Sequence, residues 1–238
     1  MTDEEAAAEA LSIDPGRSSV VLFVGTKGSG KSAGARQIFD SWPADRVVID
    51  VTGDARPDDP DTIALTAPFP SQLPEPDHDA GQKRITAWAR VDPRSPTYEH
   101  DQDQALGLAL YPRHRNTLAW IDEYGQAATA AKIPPNLRLA LNSSRHYYLT
   151  LLLACPRPRH IPTLTIQQAD RVFIFRLPNP ADREVVAENA GIPLPTFERQ
   201  YHDAQRRDKH AFLLWNPHDR ILLNCPPLPG IAHRGPRA

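Results

Sequence analysis

One glycine-rich segment carries residue types that would bind a polyphosphate. Glycines let the backbone wrap closely round phosphate oxygens, so that successive N–H groups point inward at the anion. Within this segment Lys31 would reach the β- and γ-phosphates of a nucleotide, and Ser32 would hold Mg²⁺. The pattern predicts a P-loop, the Walker A motif, with ATP and Mg²⁺ as its ligands. The predicted nucleotide-binding residues are Gly25, Thr26, Lys27, Gly28, Ser29, Gly30, Lys31, Ser32 and Ala33.

The segments on either side of the loop have the composition that a P-loop requires. Residues 19–24 form a short β-branched, apolar run typical of a buried strand. Residues 33–42 are rich in helix formers and place Ala35, Ile38 and Phe39 at helical spacing. A helix that begins here would offer its N-terminal N–H groups and its positive dipole end to the same phosphates. Strand, glycine loop and helix therefore follow one another as expected.

A pair of acids supplies the second half of a phosphate-cleaving site. Asp122 and Glu123 follow the apolar run 117–121, and acids at strand ends face the crevice of an open α/β sheet. Asp122 would bind the Mg²⁺ shell as a Walker B aspartate, and Glu123 would orient and deprotonate the attacking water. The pair favours a hydrolase over a kinase. Asp50, at the end of another predicted strand, is a weaker competitor for the metal.

Arg145 is the third candidate for a catalytic role, beside Lys31 and Glu123. It stands between a predicted helix and the apolar strand that begins at Tyr147, near the rim of the predicted sheet. An arginine supplied by a neighbouring subunit neutralises the charge that spreads over the equatorial oxygens during phosphoryl transfer. The alternative interpretation is an ordinary solvated or salt-bridged arginine.

Composition limits the class of protein. The chain has 238 residues, of which 40% are hydrophobic, and a net charge of −2. A chain of this length and hydrophobic content can form one α/β domain with a hydrophobic core. Its net charge gives no overall positive field of the kind that indicates nucleic-acid binding. Cys155 and Cys225 are expected to be buried free thiols. With neither a signal peptide nor an apolar stretch that could cross a bilayer, we expect a soluble, cytoplasmic protein.

Alternating strands and helices predict an α/β fold in which helices flank a mostly parallel sheet. We divide the chain into a polar tail at residues 1–17, an ATPase core at 18–190 and a C-terminal extension at 191–238 that holds a helix and a hairpin. Within the core, residues 53–82 form an excursion rich in proline and aspartate.

Three segments resemble the FtsK–HerA superfamily of DNA-pumping ATPases. They are residues 142–146 (NSSRH), 155–162 (CPRPRHIP) after an apolar strand, and 168–176 (QADRVFIFR). The resemblance covers roughly residues 18–190 and is closest to the genome-packaging ATPases of tailless viruses that contain an internal membrane. It implies a three-layer, RecA-like P-loop fold of the additional-glutamate class, and it implies Arg145 as the finger that acts on a neighbouring subunit.

The same resemblance implies the activity and the partners. The family hydrolyses ATP to translocate double-stranded DNA, here into a viral capsid, as a homo-oligomeric ring that is expected to be a hexamer. A capsid vertex protein is a further candidate partner, and the virion is a candidate location besides the host cytoplasm. One position departs from the family: Pro156 stands where a sensor glutamine is usual, and a proline side chain cannot donate a hydrogen bond. Asn142 and Gln167 are weak candidates to replace it.

Two other functions remain open from the sequence: a small-molecule or nucleotide kinase of the P-loop fold, and a phage morphogenesis ATPase that does not pump DNA. Three basic clusters would contact DNA phosphates or would simply be solvated. These clusters are Arg113, His114 and Arg115; Arg157, Arg159 and His160; and Arg206, Arg207 and Lys209.

Overall fold

A single nine-stranded sheet organises the chain. The structure is a computed structural model that describes residues 10–79, 81–110 and 116–229. The strands lie in the order β3-β4-β2-β5-β6-β1-β7-β8-β9. All pairings from β3 to β7 are parallel, whereas β8 and β9 are antiparallel. The strands are β1 (Val20–Val24), β2 (Arg46–Asp50), β3 (Ile63–Thr66), β4 (Thr86–Arg90), β5 (Thr117–Ile121), β6 (Leu149–Cys155), β7 (Arg171–Ile174), β8 (Phe212–Asn216) and β9 (Ile221–Cys225).

Helices cover both faces of this sheet. They are α1 (Lys31–Ser41), α2 (Tyr98–Gly107), α3 (Tyr124–Ala127), α4 (Pro135–Ser143), α5 (Thr163–Gln168), α6 (Pro180–Ala190) and α7 (Leu194–Arg207), with 3₁₀ turns at Ser144–Tyr147 and Pro158–His160. On one face α1 packs Ile38 and Phe39 against the sheet. On the other face α2, α4, α5, α6 and α7 bury their apolar residues in a second cluster. The predicted three-layer α/β fold is therefore confirmed.

The central strands are apolar along their whole length because both of their faces are buried. In β1, Val21 and Phe23 point into the cluster beneath α1, while Leu22 and Val24 point into the opposite cluster. Strand β6 lies between β1 and β5, with Val24 level with Cys155. The carboxyl ends of β1, β5 and β6 thus meet at one edge of the sheet, which we call the carboxyl edge. The opposite edge, where these strands begin, is the amino edge.

The excursion at residues 53–82 contains a strand that the sequence analysis missed. Strand β3 is a short edge strand, parallel to β4, whose side chains are alternately half-buried and exposed. Asp59 ties the excursion to the core, because it accepts hydrogen bonds from Arg46 (2.9 Å) and Thr86 (2.8 Å). The polar, proline-rich composition of the excursion concealed a strand that the core holds through its pairing with β4 and through the Asp59 carboxylate.

The region before β6 also differs from expectation. The predicted strand from Tyr147 begins at Leu149 instead, because Ser144–Tyr147 forms a 3₁₀ turn and Tyr148 has a left-handed backbone (φ 49°). A residue in that conformation cannot continue a strand. Helix α2 begins at Tyr98 and ends at Gly107.

The C-terminal hairpin continues the sheet, since β8 pairs with β7 and β9 pairs with β8. Helix α6 ends at Ala190 and is capped by Gly191, whose φ is 68°. The division of the chain at residues 17/18 and 190/191 stays a prediction. Within the described ranges, no helix has the length and apolar character to span a membrane.

Candidate nucleotide-binding site

The loop between β1 and α1 has a backbone that requires glycine. Gly25, Gly28 and Gly30 have φ values of 154°, 74° and 115°, which L-residues rarely adopt. A Cβ on Gly25 would lie 2.7 Å from both the Phe175 Cβ and the Ser29 Oγ. The loop is therefore wound tightly on itself, and a side chain at Gly25 would force it open.

Backbone hydrogen bonds to the strands beside β1 hold the start of the loop. The Gly25 N–H donates to the carbonyl of Cys155 at the end of β6 (3.2 Å), and the Thr26 N–H donates to the carbonyl of Arg176 just after β7 (2.9 Å). The Thr26 hydroxyl also donates to the Arg176 carbonyl (3.2 Å). The loop is thus fastened on both sides to the rigid sheet.

The interior of the loop contains hydrogen-bond donors that are available to an anion. In the described part of the chain, the N–H groups of Lys27, Gly28 and Gly30 donate to no protein acceptor. The Ser29 hydroxyl is buried and has no partner among those residues. Helix α1 begins at Lys31, so its first N–H groups point into the same space. These donors fit the phosphates of a nucleotide.

Lys31 lies beside the acids that the sequence analysis paired with it. Its Nζ donates to the Thr26 carbonyl (3.2 Å). Burial lowers the pKa of Lys31, and the nearby carboxylates of Glu123 and Asp122 oppose that effect. The ammonium group therefore already lies among the loop and the two acids, within the crevice that a polyphosphate would enter.

Ser32 and Asp122 meet across the crevice. The Ser32 hydroxyl donates to Asp122 Oδ1 at 3.2 Å. Burial, and then the charge of Glu123, raise the pKa of Asp122 to about 6. Mg²⁺ takes oxygen ligands at about 2.0–2.1 Å in an octahedron, so neighbouring ligands stand about 3 Å apart. The spacing and chemistry of these two oxygens therefore fit Mg²⁺.

The donor set suits an ion that is bound jointly with a nucleotide. In residues 10–79, 81–110 and 116–229, no group of three or more His, Cys, Asp or Glu side chains is arranged to hold a metal ion. Mg²⁺ typically uses one or two protein oxygens together with substrate phosphates and waters, whereas an all-protein cage is unusual for it. Ser32 and Asp122 are the pair that would contribute those protein oxygens.

Glu123 follows Asp122 in a strained conformation. Its backbone is left-handed (φ 52°, ψ 46°), and the short helix α3 begins at the next residue. Such a conformation costs free energy in a non-glycine residue and persists where neighbours enforce it. Tyr124 is one such neighbour, because it is fully buried and its hydroxyl lies 2.7 Å from the Thr165 Oγ1. The Glu123 side chain is half-buried at this turn.

Asp50 is wrong as a competitor for the metal. Its Oδ1 accepts the N–H groups of Thr52 (3.0 Å) and Gly53 (2.8 Å) and the Thr52 hydroxyl (3.3 Å). Its Oδ2 accepts the N–H groups of Ala55 (3.0 Å) and of the Trp88 indole (2.9 Å). A carboxylate that accepts five donors organises the turn after β2 and has no lone pair left for an ion.

Arg145 lies on the amino edge, away from the other predicted catalytic residues. Its 3₁₀ turn precedes β6, whereas the P-loop lies beyond the end of that strand. Seven residues of β6 separate the two edges, about 20 Å at 3.3 Å per residue. The Arg145 side chain is exposed and makes no ion pair or hydrogen bond with any residue that the structure describes. It therefore cannot reach the P-loop of its own chain.

The two weak candidates for the sensor share the position of Arg145. Asn142 and Gln167 line the same amino-edge cleft, which has a volume of about 440 Å³. The idea that either one replaces the missing glutamine within its own chain is wrong, because β6 lies between them and the P-loop. Pro156 follows directly after Cys155, at the carboxyl edge as predicted.

The structure also locates the thiols and the basic clusters. Cys155 and Cys225 are buried and free, as predicted. Arg157, Arg159 and His160 are exposed at the carboxyl edge beyond β6, and Arg206, Arg207 and Lys209 are exposed where α7 ends. Residues 113–115 lie outside the described residues.

Sequence reasoning missed His210, which approaches the P-loop from the C-terminal extension. Its Nδ1 lies 3.4 Å from the Ser29 carbonyl oxygen. The two residues are 181 positions apart, and no spacing rule connects a histidine in a turn to a distant glycine loop.

Comparisons with known proteins give a structural match only. No protein-family model matches the chain, and no curated protein matches it. The genome packaging NTPase B204 from Sulfolobus turreted icosahedral virus 2 in complex with AMP has a TM-score of 0.61 at 16% identity, covering 90% of this chain and 99% of that chain. The same protein in complex with sulfate has a TM-score of 0.62 at 17% identity, covering 90% and 98%.

A further match is B204, the DNA-packaging ATPase from Sulfolobus turreted icosahedral virus. Its TM-score is 0.58 at 14% identity, and the alignment covers 89% of this chain and 98% of that chain. At these identities the matches establish the fold. The chain has the fold of a P-loop NTPase, and at the level of fold the predicted resemblance to viral genome-packaging ATPases is confirmed.

Proposed function

We propose that this chain is a Mg²⁺-dependent ATPase that uses hydrolysis to translocate double-stranded DNA into a viral capsid. One observation carries the ATPase proposal. The Ser32 hydroxyl lies 3.2 Å from Asp122 Oδ1, with Glu123 next in the chain and Lys31 beside both acids. This arrangement supports the proposal that a phosphate cradle, a metal-binding pair and a general base share one crevice.

Each residue has a separate task in the proposed reaction. The free N–H groups of the loop and the Lys31 ammonium bind and orient the phosphates. Ser32 and Asp122 would hold Mg²⁺, which when bound would supply positive charge next to the phosphates. Glu123 accepts a proton from a water whose oxygen forms a bond to the γ-phosphorus. The bond from that phosphorus to the β–γ bridging oxygen breaks, and ADP leaves with the electron pair.

Arg145 completes the site from a neighbouring copy of the chain. An arginine that is exposed and lies at the edge opposite its own P-loop is suited to act only on another subunit. We therefore propose a homo-oligomeric ring, a hexamer, in which the amino edge of one subunit faces the carboxyl edge of the next. Hydrolysis then depends on assembly.

The DNA-packaging part of the proposal rests on the shared fold. Matched structures carry the names of a genome packaging NTPase and of a DNA-packaging ATPase, and they cover about 90% of this chain. The exposed Arg157, Arg159 and His160 would offer positive charge to a DNA backbone. A capsid vertex protein is the proposed docking partner of the ring.

One experiment separates this function from its alternatives. ATP hydrolysis is measured with and without long duplex DNA, over a range of protein concentrations, alongside the mass of the assembly. We expect turnover without any phosphoryl acceptor, a rise with protein concentration, and stimulation by duplex DNA. Turnover only when an acceptor is added would indicate a kinase. Turnover that ignores DNA would indicate an assembly ATPase that does not pump.

A further inference from the structure

The P-loop is touched by a side chain from the far end of the chain. His210 lies in the turn between α7 and β8, and its Nδ1 is 3.4 Å from the carbonyl oxygen of Ser29. Among the described residues, no other group is within hydrogen-bonding distance of this carbonyl in the loop. A donor at this site acts on the peptide that joins Ser29 to Gly30.

The geometry of the peptide bond gives this contact a consequence. In a trans peptide the C=O and the following N–H point in opposite directions. A donor that holds the Ser29 carbonyl on the outside of the loop therefore turns the Gly30 N–H inward. Gly30 can otherwise rotate easily, because it is a glycine with φ 115°. Its N–H is also one of those that donate to no described protein acceptor.

Hydrogen bonds around Asp208 fix the position of His210. The His210 N–H donates to Asp208 Oδ1 (2.7 Å), and the Ala211 N–H donates to the Asp208 carbonyl (3.1 Å). The Gln205 side-chain amide donates to the Ala211 carbonyl (2.9 Å), which ties the turn to α7. The imidazole is half-buried, so the turn presents it to the P-loop in a restricted orientation.

The same extension packs along the helix that the P-loop begins. A Cβ on Gly34 would lie 2.8 Å from a methyl group of Leu228. The Gln37 side-chain amide donates to the Pro229 carbonyl (2.8 Å). The segment that follows β9 is thus fitted against α1, and the C-terminal extension contacts both the loop and its helix.

We propose that His210 is a positioning residue for the phosphate site. It donates its Nδ1–H to the Ser29 carbonyl and thereby keeps the Gly30 N–H directed at a bound polyphosphate. The proposal deepens the proposed function and rests on it in taking the loop to be the phosphate site. It predicts that His210 affects phosphate affinity through the loop, without touching the base or the ribose.

Two substitutions of His210 distinguish the effect of its hydrogen-bond donor from the effect of the size of its ring. His210→Phe keeps an aromatic ring but removes the donor, whereas His210→Asn places an amide N–H near the position of Nδ1. The affinity of each variant is measured for a nonhydrolysable ATP analogue and for inorganic tripolyphosphate, which has no base or ribose. His100→Phe, an exposed histidine on α2, is the matched control.

We expect His210→Phe to weaken both ligands about fivefold, the size of one ordinary hydrogen bond. His210→Asn should recover most of that loss, and His100→Phe should bind as wild type does. In steady-state hydrolysis the Phe variant should raise KM about fivefold with little change in kcat. Equal melting temperatures of the apo variants would verify that the fold is kept.

Several results would overturn the inference. If His210→Phe binds both ligands with wild-type affinity, His210 does not act as a donor to the loop. The same conclusion follows if His210→Asn fails to recover binding. A loss confined to the ATP analogue would assign His210 to the base or ribose. If the wild type binds tripolyphosphate but never hydrolyses ATP, the proposed function fails while this inference stands. If it binds neither ligand, both are wrong.

Discussion

The two edges of the sheet differ in how far their polar side chains are buried and hydrogen-bonded. At the carboxyl edge Lys31 and Asp122 are buried, Glu123 is half-buried, and hydrogen bonds link the loop to its neighbours. At the amino edge Arg145 is exposed in a wide polar cleft and pairs with no described side chain. Within one chain, therefore, the fold gathers the residues of the proposed nucleotide site at one edge and leaves Arg145 at the other.

This difference explains how assembly would control turnover. A complete set of residues in one subunit would hydrolyse ATP whether or not a ring had formed. When the catalytic residues are divided between opposite edges of the sheet, a complete site forms only where two subunits meet. Five predictions follow, beginning with the largest expected effect, and the first three test this division directly.

Glu123→Gln should nearly abolish hydrolysis while preserving nucleotide binding. The amide cannot accept the proton of the attacking water, and loss of a general base costs up to about 10⁴-fold in rate. Single-turnover hydrolysis and the affinity for an ATP analogue are the two measurements. Glu184→Gln, an exposed position on α6, should behave as wild type. Normal turnover by Glu123→Gln would remove the base assignment.

Arg145→Ala should lower hydrolysis by about 10³-fold in the assembled protein, because an arginine supplied in trans neutralises transition-state charge. Nucleotide affinity should stay within twofold of wild type. Arg138→Ala, an exposed arginine on the neighbouring helix α4, is the matched control.

Mixing the two inactive variants tests whether Glu123 and Arg145 of one site come from different subunits. Rings that contain both Arg145→Ala and Glu123→Gln subunits include some sites with an intact Glu123 and a neighbour's intact Arg145. Turnover should therefore reappear on mixing. If it stays absent across all ratios although mixed assemblies form, the division between subunits is refuted.

Asp122→Asn should stabilise the ligand-free protein while abolishing its stabilisation by Mg²⁺ and nucleotide. The pKa of Asp122 is raised from 3.8 to about 6, so the folded state binds this proton more tightly than the unfolded state does. Its contribution to stability is complete below pH 4 and is lost as the pH rises through about 6. The loss is about 3 kcal/mol, at roughly 1.4 kcal/mol per pKa unit.

Urea unfolding at pH 5.0 and pH 7.5 measures this effect without ligands. The asparagine variant should be the more stable protein at pH 7.5, by up to about 3 kcal/mol, and the difference should shrink at pH 5.0. Asp61→Asn, at an exposed position in the excursion, should change little. Equal stability of wild type and Asp122→Asn at pH 7.5 would contradict the raised pKa of this carboxyl group.

Tyr124→Phe should produce the smallest effect. It removes the buried hydrogen bond to Thr165 that helps to hold the turn after Glu123, and should cost about 1–2 kcal/mol of unfolding free energy. The rate should fall only a few-fold, because the carboxylate itself remains. The double variant with Thr165→Val should recover part of the stability, since no polar atom is then left unpaired. A cost in the double variant equal to the sum of the two single costs would show that the two hydroxyls are not coupled.

Local sequence patterns predicted the structure best where the residues that the chemistry needs are also the residues that the backbone conformation needs. The P-loop glycines need positive φ, and the apolar runs around them are long enough to be buried, so β1, the loop and α1 were all predictable. Strand β3 was not, because it is four residues long and alternates in exposure within a proline-rich segment. Its position depends on the distant Arg46 and Thr86, which bond to Asp59 in the same excursion.

Residue types and spacing by themselves determined that a phosphate-binding loop and a pair of acids exist, because each is a short contiguous motif. Tertiary structure decided which residues share an edge of the sheet. It brought Ser32 to Asp122 and His210 to Ser29, while it separated Arg145, Asn142 and Gln167 from all of them. The physical reason is that strand order and strand direction set these distances, and both arise from packing between segments that are far apart in the chain.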